Sequence, residues 1–145
     1  MYNQRLRPPP NIKDVMPASF DEIEIGQVAH LGAVVADEAA LQAFIIAFMP
    51  GWTVDRGVPD AMVFALWSRL DADAASGWPQ TKRVGVDALR WARNPPPGAV
   101  LRGRMTIMGK DPVGDGKGII IAQHDLLDEE GRLVFSCLTR SVYSR

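Results

Sequence analysis

Residues 47–62 read AFMPGWTVDRGVPDAM, a stretch holding several groups able to move protons or hold a ligand. Asp55 and Asp60 are carboxylates. A carboxylate taken out of water holds its proton more tightly, which suits acid–base work. Asp55 would serve as such a base if buried; a solvated loop aspartate beside Arg56 is the plainer reading. Asp60 also has two readings, a reacting carboxylate or the cap of a following helix. Ala61 and Met62 would then open that helix, where backbone N–H groups lack intrahelical acceptors and the dipole favours negative charge. Donors of this kind suit an oxygen on which charge develops. Asp60 would compete for the same amides if it caps them. Trp52 and Arg56 complete the candidate binding set, although Trp52 could equally pack the loop. The chain has two histidines, His30 and His124. Both fall in strand-like stretches, where a satisfied or exposed imidazole competes with a catalytic one.

Two apolar segments bracket this loop. In DEAALQAFIIAFM, residues 37–49, Leu41, Phe44, Ile45 and Phe48 share one helical face. Asp37 is placed to cap that helix, Glu38 suits its first turn, and Pro50-Gly51 ends it. The second helix is expected over 60–76, DAMVFALWSRLDADAAS, started by Pro59-Asp60 and stopped at Ser76-Gly77. Val63, Leu66, Trp67 and Leu70 form its stripe. Met62, Phe64 and Ala65 fill the other sides of its first two turns, which predicts burial all round there. Arg69, Asp71 and Asp73 predict a solvent-facing second half.

The remaining segments read as β-structure: 27–36, 83–92, 100–109, 118–128 and 132–144. Leu101, Gly103, Met105 and Ile107 alternate with Arg102, Arg104 and Thr106, a half-buried antiparallel pattern. DEEG, 128–131, is a hairpin connection, and KDPVGDGK, 110–117, a longer turn. Residues 1–19, with Pro8-Pro9-Pro10 and Pro17, predict an extended arm. Residues 20–145 then form one α+β domain: a curved antiparallel sheet whose open face needs the long helix as its cover.

The chain has 145 residues, a length that fits one domain, and 47% of them are hydrophobic. Sixteen basic against seventeen acidic residues give a net charge of -1, which argues against a nucleic-acid partner. No apolar run approaches the roughly 20 residues needed to span a bilayer, and the N-terminus lacks the apolar stretch of a secretory signal. No membrane partner and a cytoplasmic location are therefore expected. The single cysteine, Cys137, excludes an internal disulfide and reads as a reduced core thiol. Nothing matches a P-loop, a dinucleotide fingerprint, a zinc site or a nucleophile elbow, so no cofactor or metal is expected. Lys82, Arg83, Arg90, Arg93, Arg102 and Arg104 could meet phosphates, or face water as alternating strand residues do.

VGVDALRWARNPPPGAVLRGRMTIM, residues 84–108, resembles the MaoC-like dehydratase and (R)-specific enoyl-CoA hydratase group of hot-dog proteins. Arg90 and Trp91, the prolines Pro95 to Pro97, and Gly98 match that group's strand, Pro-Gly turn and second long strand. FDEIEIGQVAHLGAVV, 20–35, resembles its first strand and approach, and DAMVFALWSRL, 60–70, its central helix. The resemblance implies a hot-dog domain that binds acyl thioesters, acyl-CoA among them; a single such sheet leaves an edge and a helix flank open, so a homodimer is expected. It implies hydration or dehydration of a 2-enoyl thioester. An aspartate and a histidine would lie in a loop written roughly Gly-Asp-x-Asn-Pro-x-His, and a His-Gly pair would open the central helix. Laid on that pattern, the aspartate falls near Pro50, the histidine near Asp55, and the His-Gly pair near Asp60-Ala61. Residues 45–62 contain no histidine, so the acid–base pair is missing as a pair.

Three readings follow. The chain is a divergent hydratase or dehydratase using Asp55 or Asp60. Alternatively it is a non-catalytic thioester-binding or partner subunit. The third reading is an acyl-CoA thioesterase with one carboxylate beside the helix start.

Overall fold

A computed structural model describes residues 19–75 and 77–145. The extended arm expected over 1–19 lies, apart from Ser19, outside the described residues. In chain order the elements are β1 (Val28–Val35), α1 (Glu38–Phe48), α2 (Asp60–Ala75), β2 (Gln80–Trp91), β3 (Val100–Pro112), β4 (Lys117–Leu127) and β5 (Leu133–Ser144). Single 3-10 turns occupy Phe20–Glu22 and Val54–Arg56. No described helix is long and apolar enough to cross a membrane.

The five strands form one antiparallel sheet in the order β1-β3-β4-β5-β2. The alternation read in β3 is the observed one: Leu101, Gly103, Met105 and Ile107 are buried, and Arg102 is exposed. On β4, Ile120, Ala122, His124 and Leu126 face the same side, as the period of two requires. α2 lies across that side. Val63, Trp67 and Leu70 bury their side chains there, with Met62 and Ala74. Trp67 sits at the centre, 1% exposed, against Phe64, Phe135 and His124. Trp67→Ala is expected to cost about 3–5 kcal/mol, read as a fall in the urea midpoint at unchanged slope.

Asp37 caps α1 as its type predicts, accepting from the Ala40 N–H at 3.0 Å. Four packing expectations are corrected. Leu66 is half-buried rather than buried, and Ala65 is exposed with Phe64 half-buried, so the start of α2 is not covered on all sides. Its apolar residues exceed what a single sheet face can cover. On α1, Leu41 and Ile45 reach the core, but Phe48, a turn further on, is 73% exposed. Its ring contact is with Phe44 of the same helix, at 5.2 Å, and the core does not reach it. Asp71 does not face solvent. It pairs with Arg83 of β2 at 2.9 Å, and burial raises its pKa against the opposing pull of that guanidinium.

β2 carries the main irregularities. Its pairing with β5 slips three times, and Ala88 adopts φ 53°. At the last slip Asp87 pairs with Leu138 and Arg90 with Ser136, so Ala88 and Leu89 together oppose Cys137 alone. This is a β-bulge, which re-aims the side chains beyond it. Trp91 thereby falls opposite Phe135, with ring centroids 5.5 Å apart.

Candidate functional site

The bulge in β2 and the start of α2 together make an apolar cleft of about 470 Å³ lined by Asp60, Ala61, Phe64, Leu89 and Trp91. Its wall continues inward as an aromatic cluster. Phe64 meets Phe135 edge-on at 6.0 Å and Trp67 at 5.5 Å, and both are buried.

The opening turn of α2 is held from outside the helix. The Trp91 indole N–H donates to the Asp60 carbonyl at 2.9 Å. The Asn94 amide donates to the Asp60 carboxylate at 2.9 Å and to the Val58 carbonyl at 2.8 Å. Asp60 is therefore tied to Asn94, and its side chain makes no capping bond to the amides behind it. The Met62 N–H, expected to be an orphan, is bonded to the Pro59 carbonyl at 3.0 Å, as is the Val63 N–H. The Ala61 N–H finds no acceptor among the described residues. Of the two amides expected to be open, Ala61 and Met62, the first remains so, at the positive end of α2 and beside the apolar cleft.

The preceding loop is latched. The Trp52 indole N–H donates to the Gly57 carbonyl at 2.8 Å, and the Arg56 guanidinium lies 3.8 Å from the centre of the same ring. Gly57 has φ 85°, and a Cβ there would stand 2.8 Å from the Asn94 carbonyl oxygen and 2.9 Å from that of Pro95. Only glycine allows the loop to pass this closely beneath the Pro-rich turn. The Val58 N–H donates to the same Pro95 carbonyl at 2.8 Å.

Of the residues singled out from sequence, Asp60 and Ala61 line the cleft. Met62 is beside them but buried. Trp52 and Arg56 line a second cleft with Phe48, Met49, Pro50 and Gly51. Asp55 is exposed on the 3-10 turn and lines neither, so it lacks the burial that would suit it to act as a base. His30 is exposed on β1 opposite Arg104. His124 is buried on β4, its Nε2 3.2 Å from Thr139 Oγ1 and its Nδ1 without a partner among the described residues. Burial, and then the positive charge of Arg83, pull its pKa down to about 3. Cys137 is buried as expected, and burial pushes its thiol up to about 12.

Phe64, Leu89, Trp91 and Asn94 were not singled out as site residues. Trp91 had a signal, because it stands just before the Pro-rich turn that returns to the helix start. Leu89 and Asn94 had none, since the first depends on the bulge and the second on contacts 34 and 36 residues away in sequence.

A curved antiparallel sheet wrapped around one long helix, with a cleft at the helix start, is a hot-dog fold. Solved structures of MaoC-like dehydratases and (R)-hydratases share it. A MaoC-like dehydratase from Rhodospirillum rubrum superposes with a TM-score of 0.76 at 20% identity, covering 89% of this chain and 98% of that one. The (R)-hydratase PhaJ1 from Pseudomonas aeruginosa gives 0.68 at 20% identity, covering 87% and 84%. The HadBC (3R-hydroxyacyl-ACP dehydratase) complex from Mycobacterium tuberculosis gives 0.59 at 16%, covering 81% and 96%. No protein-family profile matches the chain, and no curated protein matches it by sequence.

Proposed function

We propose that this chain binds an acyl thioester, coenzyme A esters among them, at the start of α2 and has lost the hydration chemistry. The observation that carries this reading is the open Ala61 N–H beside the apolar cleft, with Asp60 drawn aside by Asn94. The thioester carbonyl would accept from Ala61, where the helix dipole favours the oxygen's partial charge. The acyl group would lie on Phe64, Leu89 and Trp91. Hydration also needs a base for water and an acid for the α-carbon. Asp60 is engaged by Asn94, Asp55 is exposed, and neither histidine lines the cleft. The likeness to dehydratases at 20% identity or less supports the fold, and the site supports the binding.

Calorimetry with butyryl-pantetheine and butyryl-CoA tests this. Binding is expected, and Ala61→Pro, which removes the amide at a helix position that tolerates proline, should weaken it by tenfold or more. Unchanged affinity in that variant, or no binding at all, rejects the reading.

A dimer of this chain belongs to the same proposal. β2 is an edge strand of the sheet, and Val84 on it and Ala65 on α2 leave apolar surface open outside the cleft. A second copy would cover both the edge and the helix flank. Sedimentation should show a dimer at micromolar concentration. A lone 15.9 kDa species rejects it.

A further inference from the structure

The second cleft, about 280 Å³, lies at the other end of the loop that leads to α2 and is lined by Phe48, Met49, Pro50, Gly51, Trp52 and Arg56. Its size falls just short of the roughly 300 Å³ at which small-molecule sites begin, enough for one ring system. Both aromatic walls are held in place. Trp52 is fixed by its N–H bond to Gly57, and Phe48 by its tilted contact with Phe44 at 5.2 Å. Phe48 is 73% exposed, a cost in water that a flat ligand would relieve.

Arg56 supplies the second half of the chemistry. Its guanidinium carbon sits over the Trp52 ring, 3.8 Å from the centre, and it forms no ion pair among the described residues, although the exposed Asp55 is its neighbour in the chain. A guanidinium stacked on an aromatic ring keeps its in-plane N–H donors free and pre-aimed, the arrangement that suits a phosphate. Held aromatic faces beside one uncommitted guanidinium select a planar ring joined to an anion.

We propose that this cleft takes the nucleotide end of the thioester carrier, with a purine ring against Phe48 and Trp52 and a phosphate on Arg56. The proposal rests on the thioester reading above and adds to it: the carrier is a free nucleotide-bearing coenzyme rather than a pantetheine attached to a protein. The loop from Gly51 to Asp60 then serves both ends of one ligand, the acyl group at Ala61 and the nucleotide at Arg56.

Three ligands separate the two readings: adenosine 3′,5′-bisphosphate, butyryl-pantetheine and butyryl-CoA, each titrated by calorimetry into the full chain. The bisphosphate should bind by itself, more weakly as salt is raised. Arg56→Ala should weaken the bisphosphate and butyryl-CoA by about tenfold or more, with Arg56→Lys recovering only part, since an ammonium cannot form the flat fork. Phe48→Ala, a change at an exposed position, should weaken both by severalfold. Neither variant should change the affinity for butyryl-pantetheine. If butyryl-pantetheine binds and the bisphosphate does not, the nucleotide site is overturned while the thioester reading stands. Bisphosphate binding that is indifferent to both variants also overturns it. A chain that binds none of the three overturns both.

Discussion

Purified protein is expected to hydrate crotonyl-CoA barely or not at all. A positioned acid or base contributes typically 10²–10⁴-fold, so two absent services cost roughly 10⁴–10⁸-fold if their effects multiply, and less if the pair acts as a unit. The cleft at α2 keeps a backbone donor, the Ala61 amide, which on the proposed binding would polarise a carbonyl without moving a proton. Stopped assays at high enzyme concentration, read at the enoyl absorbance, measure the residue of activity. Any turnover that remains should fall further in Asp60→Asn if the Asp60 carboxylate exchanges Asn94 for water. It should fall in Asp55→Asn only if the exposed 3-10 turn folds inward on binding. Brisk hydration that survives both substitutions would show that the reacting groups lie elsewhere, and His30 on β1 would be the next residue to replace.

The parts of this arrangement that sequence revealed are those set by neighbours within a few residues. The α1 cap at Asp37, the stop at Pro50-Gly51 and the alternation along β3 each depend on local spacing, and each is where it was expected. The loop's lack of histidine is likewise plain from the residues alone. What sequence could not show depends on register. Phe48 lies on the correct face of α1, yet it stays outside the core that Leu41 and Ile45 join. Asp71 reads as a solvent-facing helix residue until β2 places Arg83 across from it, 12 positions along the chain. Above all, the cleft exists because one additional residue at Ala88–Leu89 turns Trp91 towards Phe135. A period-two reading of 83–92 carries no mark of that insertion. Ala88, without glycine's freedom, gives no hint of a positive φ.

His124 leads to a second large effect, on acid stability. It is 1% exposed, packed edge-on to Trp67 at 5.0 Å, with one ring nitrogen near Thr139 and the other without a partner among the described residues. Charging it in place would bury a cation beside Arg83. Burial and that neighbouring charge hold its folded pKa near 3, against an ordinary 6.5. As pH falls below 6.5 the unfolded chain takes up the proton and the folded chain does not, so protonation favours unfolding. The contribution is whole above the unfolded pKa and is lost progressively between the two values. At about 1.4 kcal/mol per pH unit, the loss between pH 7 and pH 4 amounts to about 3 kcal/mol. Urea unfolding of the wild type and of His124→Gln at both pH values isolates the term. The substitution removes the titration while keeping a polar group near Thr139, and the carboxylates, including the Asp71–Arg83 pair, are common to both proteins. The variant should be the weaker protein at pH 7, yet lose about 3 kcal/mol less on going to pH 4. Equal losses in the two proteins would mean that water or a rotated ring already satisfies the buried imidazole, and that acid lability arises from another group.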